Sequence, residues 1–149
     1  MDNGHDCDVL NTLIATTLDS VKGYRDAAQD SNDSNHKQFF NQMADERSQV
    51  ASELQDCVRK MGGDPRTESS TAGAAHRAWL GLKDAVTGSD EKAVVNEVER
   101  GEDYIKEKFQ TAMEDSDLGA ETRGVLEKTF GSIRKGHDRA SAMKHAMAD

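Results

Sequence analysis

Apolar residues recur along this chain at spacings of three and four, the pattern of a helix with one buried face. Between Val9 and Asp30 the inward series runs Leu10, Leu13, Ile14, Thr17, Leu18, Val21, Tyr24 and Ala28, which predicts a first helix. The polar run Asp30-Ser31-Asn32-Asp33-Ser34-Asn35 follows. Short polar side chains of this kind satisfy free backbone amides in turns and N-caps. A second helix is expected from about Asn35 to Met61, with Phe39, Phe40, Met43, Val50, Leu54, Cys57, Val58 and Met61 inward. Gly62-Gly63-Asp64-Pro65 ends it, since glycine accepts the left-handed cap and proline cannot continue the helix. The short loop between the two helices predicts an antiparallel hairpin.

Arg66 to Gly73 reads as a polar loop, and Ala74 to Val86 as a short helix with Ala75, Ala78, Trp79, Leu82 and Val86 on one side. Thr87-Gly88-Ser89-Asp90 breaks that helix and offers a new N-cap. A long helix is expected to run from there to about Asp115, with Val94, Val95, Val98, Ile105, Phe109, Ala112 and Met113 inward. After a turn at Ser116–Gly119, a last helix from about Ala120 to Ala146 buries Val125, Leu126, Phe130, Ile133, Ala140 and Met143. The expected fold is all-α: a ferritin-like four-helix bundle with one long crossover that holds a short fifth helix. One domain is expected over residues 9–147, behind an acidic N-terminal tail of residues 1–8.

Composition narrows the function classes. The chain has 149 residues, enough to bury a core without staples, and a formal net charge of −9. That charge, with no basic stripe to offset it, argues against nucleic acid as a partner. Nothing approaches the roughly 18 consecutive apolar residues of a membrane span. The acidic start lacks the basic and apolar regions of a secretory signal, so a cytoplasmic location is expected.

Several segments also carry a resemblance: Leu10-Asn11-Thr12-Leu13-Ile14, Tyr24-Arg25-Asp26-Ala27-Ala28, Ala51-Ser52-Glu53-Leu54-Gln55 and Gly62-Gly63-Asp64-Pro65. Ala74-Ala75-His76-Arg77-Ala78-Trp79, Glu99-Arg100-Gly101-Glu102-Asp103 and His137-Asp138-Arg139 add to it. Over roughly Val9 to His145 the chain resembles an uncharacterised bacterial family of small ferritin-like four-helix-bundle proteins. The resemblance implies a fold and a superfamily but no activity. An association with stress follows only by analogy with other small ferritin-like proteins.

A ferritin-like di-iron site takes a carboxylate from each of two helices and a Glu-x-x-His from each of the other two. His5, His36, His76, His137 and His145 are preceded at that spacing by Asp2, Asp33, Gly73, Arg134 and Ala142, so no pair matches. Members of the family resembled often carry glutamates on the first helix where this chain has Ala15 and Val21, and Asp19 and Asp26 are expected to project away from its apolar face. The groups left for a metal, iron or manganese, are Glu46, Glu53, Glu99, Glu102 and His137. Against that reading, Arg47 falls on the inward face of the second helix between Met43 and Val50, and a buried cation requires a carboxylate. Arg47, Glu102 and His137 are therefore expected to form a buried polar layer where relatives would hold metal, with Glu99 and Asp138 at its rim.

Cys7 and Cys57 face one another in an antiparallel hairpin turning near Asn32, and are expected either as reduced thiols or as a disulfide formed under oxidation. His76 and Trp79 are expected to anchor the crossover on the bundle. Two functional readings follow. One is a non-catalytic, metal-poor cytoplasmic bundle without a cofactor, stress-associated or engaged with a protein partner or further copies of itself. The other is a ferroxidase or peroxide-scavenging metal protein with a degenerate carboxylate site.

Overall fold

The predicted stop and start signals are clearest at the two ends of the second helix, an aspartate at one and a glycine pair at the other. The structure, a computed structural model, describes residues 3–69 and 91–147. It contains α1 (Gly4–Asp30), α2 (Ser34–Lys60), α3 (Glu91–Met113) and α4 (Ala120–Ala146), and no strand among the described residues. The short helix expected at Ala74–Val86, with His76 and Trp79, lies outside the described residues.

At the start of α2 the Asp33 carboxylate accepts the Asn35 and His36 N–H groups at 2.8 and 3.2 Å. At its end Gly62 takes a left-handed φ of 81°. There the Gly63 and Gly62 N–H groups donate to the Val58 and Arg59 carbonyls, both at 3.0 Å. This is the double bond that a glycine cap makes possible. The segment beyond it is strapped to α1, as Asn11 donates to the Asp64 carbonyl at 3.2 Å and accepts from the Arg66 N–H at 2.8 Å.

The expected acidic tail is a correction: Gly4 to Asp8 form the first turns of α1. Asp6 holds them there. Its buried carboxylate accepts the Gly119 N–H at 3.0 Å and the Thr122 hydroxyl at 2.7 Å. Gly119, the N-cap of α4, has no side chain with which to cap the helix itself. An acid on α1 thus supplies the cap that α4 lacks, at the positive end of its dipole.

α1 packs against α2 and α3, and α4 packs against α3 and α2. Every neighbouring pair is antiparallel. Glu91 at the start of α3 meets Ser31 and His36, whereas Asp115 beyond its end meets His5. Arg139 and Lys128 of α4 reach Glu46 and Glu53 of α2 in the same reversed order. α2 and α3 consequently run parallel, and residues 61–90 join opposite ends of the bundle, a span of roughly 40 Å.

The core divides in two. One cluster includes Leu10, Leu13, Val50, Leu54, Phe109 and Leu126. The other includes Tyr24, Phe40, Met43, Val94, Val98 and Ala140. Four polar or small positions lie on the boundary, one per helix: Ser20 on α1, Arg47 on α2, Glu102 on α3 and Gly136 on α4. A second correction concerns Asp19, which is buried rather than projecting to solvent. Ala15, Thr16 and Thr17 are buried with it, so α1 hides a broader arc than its apolar stripe indicates.

Candidate functional site

Arg47 and Glu102 stand at the centre of the bundle with their side chains fully removed from water. Each takes the inward position of its helix, Arg47 between Met43 and Val50, Glu102 between Val98 and Ile105. The guanidinium grips the carboxylate with both forks, Nη1 to Oε1 at 2.6 Å and Nη2 to Oε2 at 2.7 Å. Nη1 also donates to the Ser20 hydroxyl at 2.9 Å, and the Tyr24 hydroxyl donates to Glu102 Oε1 at 2.6 Å. The Arg47 Cζ lies 5.7 Å from the Tyr24 ring centre, within cation–π range. Arg47 Nε is buried with no hydrogen-bond partner among the described residues.

The electrostatics follow from burial. Loss of water, then the neighbouring Glu102 charge, push the Tyr24 phenol well above its usual range. It remains a proton donor. Burial alone would lower the Arg47 guanidinium, but the Glu102 charge, with Tyr24 and the hydrogen bond to Glu102, outweighs it and holds it above its ordinary value. The layer is a closed ion pair with a phenolic donor.

Gly136 makes the layer fit. A Cβ there would lie 2.5 Å from both Arg47 Nη2 and Met43 Cε. Any larger residue there would force these two side-chain ends to shift.

His137 is a correction. The buried positions of α4 run Leu126, Thr129, Ile133, Gly136 and Ala140, at spacings of three and four, so Gly136 takes the inward place at this level. His137 is rotated one residue from it, and its side chain is 16% exposed. Its Nε2 pairs with Asp103 at 2.6 Å, and its Nδ1 lies 3.5 Å from Asp138.

The remaining sequence-derived ligands are dispersed. Glu46 pairs with Arg139 at 3.2 Å, Glu53 with Lys128 at 3.2 Å, and Glu99 with Lys144 at 2.8 Å. Among the described residues, the group that converges as metal ligands would is a different one: His5, Asp115 and Asp117, with ligand atoms within 4.8 Å of one another. His5 Nε2 bonds Asp115 Oδ2 at 2.7 Å, and this hydrogen bond raises the His5 pKa. The Asp117 N–H, then His5, hold the Asp115 carboxyl below its usual range. The group is an exposed surface ion pair between the first turn of α1 and the turn after α3. Sequence reasoning missed it because nothing local relates positions 110 residues apart.

Ser20 and Tyr24 were also missed as partners of the layer. Their spacing of four places them on one face of α1, but only the register of α1 against α3 brings Tyr24 to Glu102. Cys7 and Cys57 are both thiols in this structure.

The fold and layer thus define an all-α four-helix bundle organised around a buried guanidinium–carboxylate–phenol cluster. Residues 6–115 match the family described as Domain of unknown function (DUF2383), and the chain belongs to that family. The matched range contains Ser20, Tyr24, Arg47 and Glu102, and ends before α4. No curated protein matches the chain.

Proposed function

We propose that this chain is a ferritin-like bundle of the cytoplasm that is metal-poor and non-catalytic. Its Arg47–Glu102–Tyr24 layer fills, as structure, the space that a dinuclear centre takes in metal-carrying bundles of that class. Its role is then to engage a protein partner or further copies of itself, in the stress-associated setting that analogy with small ferritin-like proteins gives. The connection between opposite ends of the bundle supports the ferritin-like reading, because it matches a one-crossover bundle.

One observation carries the metal-poor reading: both oxygens of Glu102 are taken by Arg47. A dinuclear centre needs several carboxylates free to bridge two cations. Here the central carboxylate is neutralised by a guanidinium that would repel those cations, and Glu46, Glu53 and Glu99 each hold a separate cationic side chain. The residues present do not fit a dinuclear metal group.

Elemental analysis of protein purified without chelators, repeated after anaerobic loading with ferrous iron, tests this. The expected result is no stoichiometric metal in either sample. Near-stoichiometric iron or manganese, lost in Glu102→Gln or His137→Ala, would overturn the proposal and restore the ferroxidase or peroxide-scavenging reading.

A further inference from the structure

Cys7 and Cys57 lie on the two helices of the first hairpin, and neither is in a disulfide. Asn3 Nδ2 donates to the Met61 carbonyl at 3.5 Å, which fixes the register between the start of α1 and the end of α2. One helical turn inward from these two residues stand Cys7 and Cys57. Because the helices are antiparallel, those two turns lie side by side.

Cys7 packs against the apolar cluster that contains Cys57 and Val58. A Cβ on Gly63 would stand 2.7 Å from Cys7 Sγ and 3.0 Å from Val58 Cγ1, so glycine leaves the sulfur its room. Cys7 also lines an open cleft of about 420 Å³ with Asn3, Asp8, Asn11, Met61, Gly63 and Asp64. Cys7 is only partly buried, while Cys57 is 5% exposed. An accessible thiol beside a resolving one is the arrangement of redox-responsive cysteine pairs.

We propose that Cys7 and Cys57 form a peroxide-driven clip, in which a hydroperoxide oxidises Cys7 and Cys57 then closes a disulfide joining the start of α1 to the end of α2. In the first step the Cys7 sulfur attacks the O–O bond. A sulfenic acid forms, and the distal oxygen leaves as an alcohol, or as water from hydrogen peroxide, carrying the thiol proton. In the second step the Cys57 sulfur attacks the Cys7 sulfur, the S–OH bond breaks, and the Cys57 proton leaves with the hydroxyl as water. Two electrons pass from the sulfur pair to the peroxide bond. Cys57 is the more deeply buried of the two, which leaves the first attack to Cys7; burial also raises the Cys57 pKa. The closed clip restricts the unfolded chain and so raises the resistance of the α1–α2 hairpin to unfolding.

The test treats the native protein with a mild excess of hydrogen peroxide and counts thiols in denaturant before and after, with non-reducing peptide mapping. The expected result is a fall from two titratable thiols to none, an intramolecular Cys7–Cys57 peptide, and a higher thermal midpoint that a dithiol reverses. In Cys57→Ala, Cys7 should stop at a sulfenic acid that dimedone captures, and in Cys7→Ala, Cys57 should stay unlabelled. Two thiols surviving oxidation, a bridge found only between chains, or oxidation to sulfinic acid without a bridge would each overturn the clip.

Discussion

Glu102 and Asp6 are both carboxylates taken out of water, and the bundle answers them in different ways. Glu102 lies at mid-height, between two apolar clusters, and is met by the full charge of Arg47 and the Tyr24 hydroxyl. Asp6 lies at one end and, among the described residues, is met by neutral donors, the Gly119 N–H and the Thr122 hydroxyl. What makes Asp6 tolerable is its place at the N-terminus of α4, where four backbone amides lack helical partners and the dipole is positive. A helix end can therefore hold an acid without a cation. The helix middle offers no such field, and the acid there is paired with a cation. The two sites also do different work: Asp6 ties the start of α4 to α1, whereas the Arg47–Glu102 pair ties α2 to α3 across the centre of the bundle.

The largest effect should come from unbalancing the centre. Arg47→Ala leaves Glu102 buried without its cation, and is expected to lower unfolding free energy by about 3–5 kcal/mol in urea titration. A loss under about 1 kcal/mol would mean that water already reaches the layer. Next comes Tyr24→Phe, which removes one donor from the same carboxylate while keeping the ring, with an expected loss of about 1–3 kcal/mol. At the other carboxylate, Asp6→Ala should lose about 0.5–2 kcal/mol, the range for a removed N-cap, and Asp6→Asn distinctly less because an acceptor oxygen survives. Equal losses for Asp6→Ala and Glu102→Ala would erase the distinction between dipole and charge compensation.

The smallest effect is one of pH. Partial burial acts to raise the Glu91 carboxyl, but hydrogen bonds from His36, the Asn32 N–H and Ser31 outweigh it and hold it below the usual range. Its folded value is depressed, so its contribution is complete above the usual carboxylate pKa and is lost as pH falls from there through the folded value. Glu91→Gln should flatten the acid limb of a urea-midpoint-against-pH curve. His5 has the opposite sign. Its raised value gives a contribution present below the usual histidine pKa and lost as pH climbs through the folded one.

The helices were legible because their signals are local. Spacings of three and four, Asp33 as a cap and Gly62 as a stop lie within a few residues of what they control. Every described helix was located, with ends displaced by at most a few residues except at the start of α1. That exception is instructive, since Gly4 to Asp8 look like a polar tail until Asp6 finds α4, 113 residues away. The inward positions of Arg47 and Glu102 could also be read one helix at a time. The placement of His137 could not, because the apolar residues of α4 leave a gap between Ile133 and Ala140 that either Gly136 or His137 can fill. The guanidinium decides between them: it needs the space that only Gly136 leaves. Tyr24 and Ser20 depended on inter-helix register, which no single-helix pattern encodes.

The most direct measurement is a double-mutant cycle across the central pair, using Arg47→Met, Glu102→Leu and the double variant, each unfolded in urea. If the layer is a mutually compensated ion pair, each single variant leaves an uncompensated group and is severely destabilised. The double variant should then recover most of that loss, giving a coupling of at least about 2 kcal/mol. Additive losses, with the double variant as unstable as the sum of the singles, would contradict it and mean that Arg47 and Glu102 are stabilised by something other than each other.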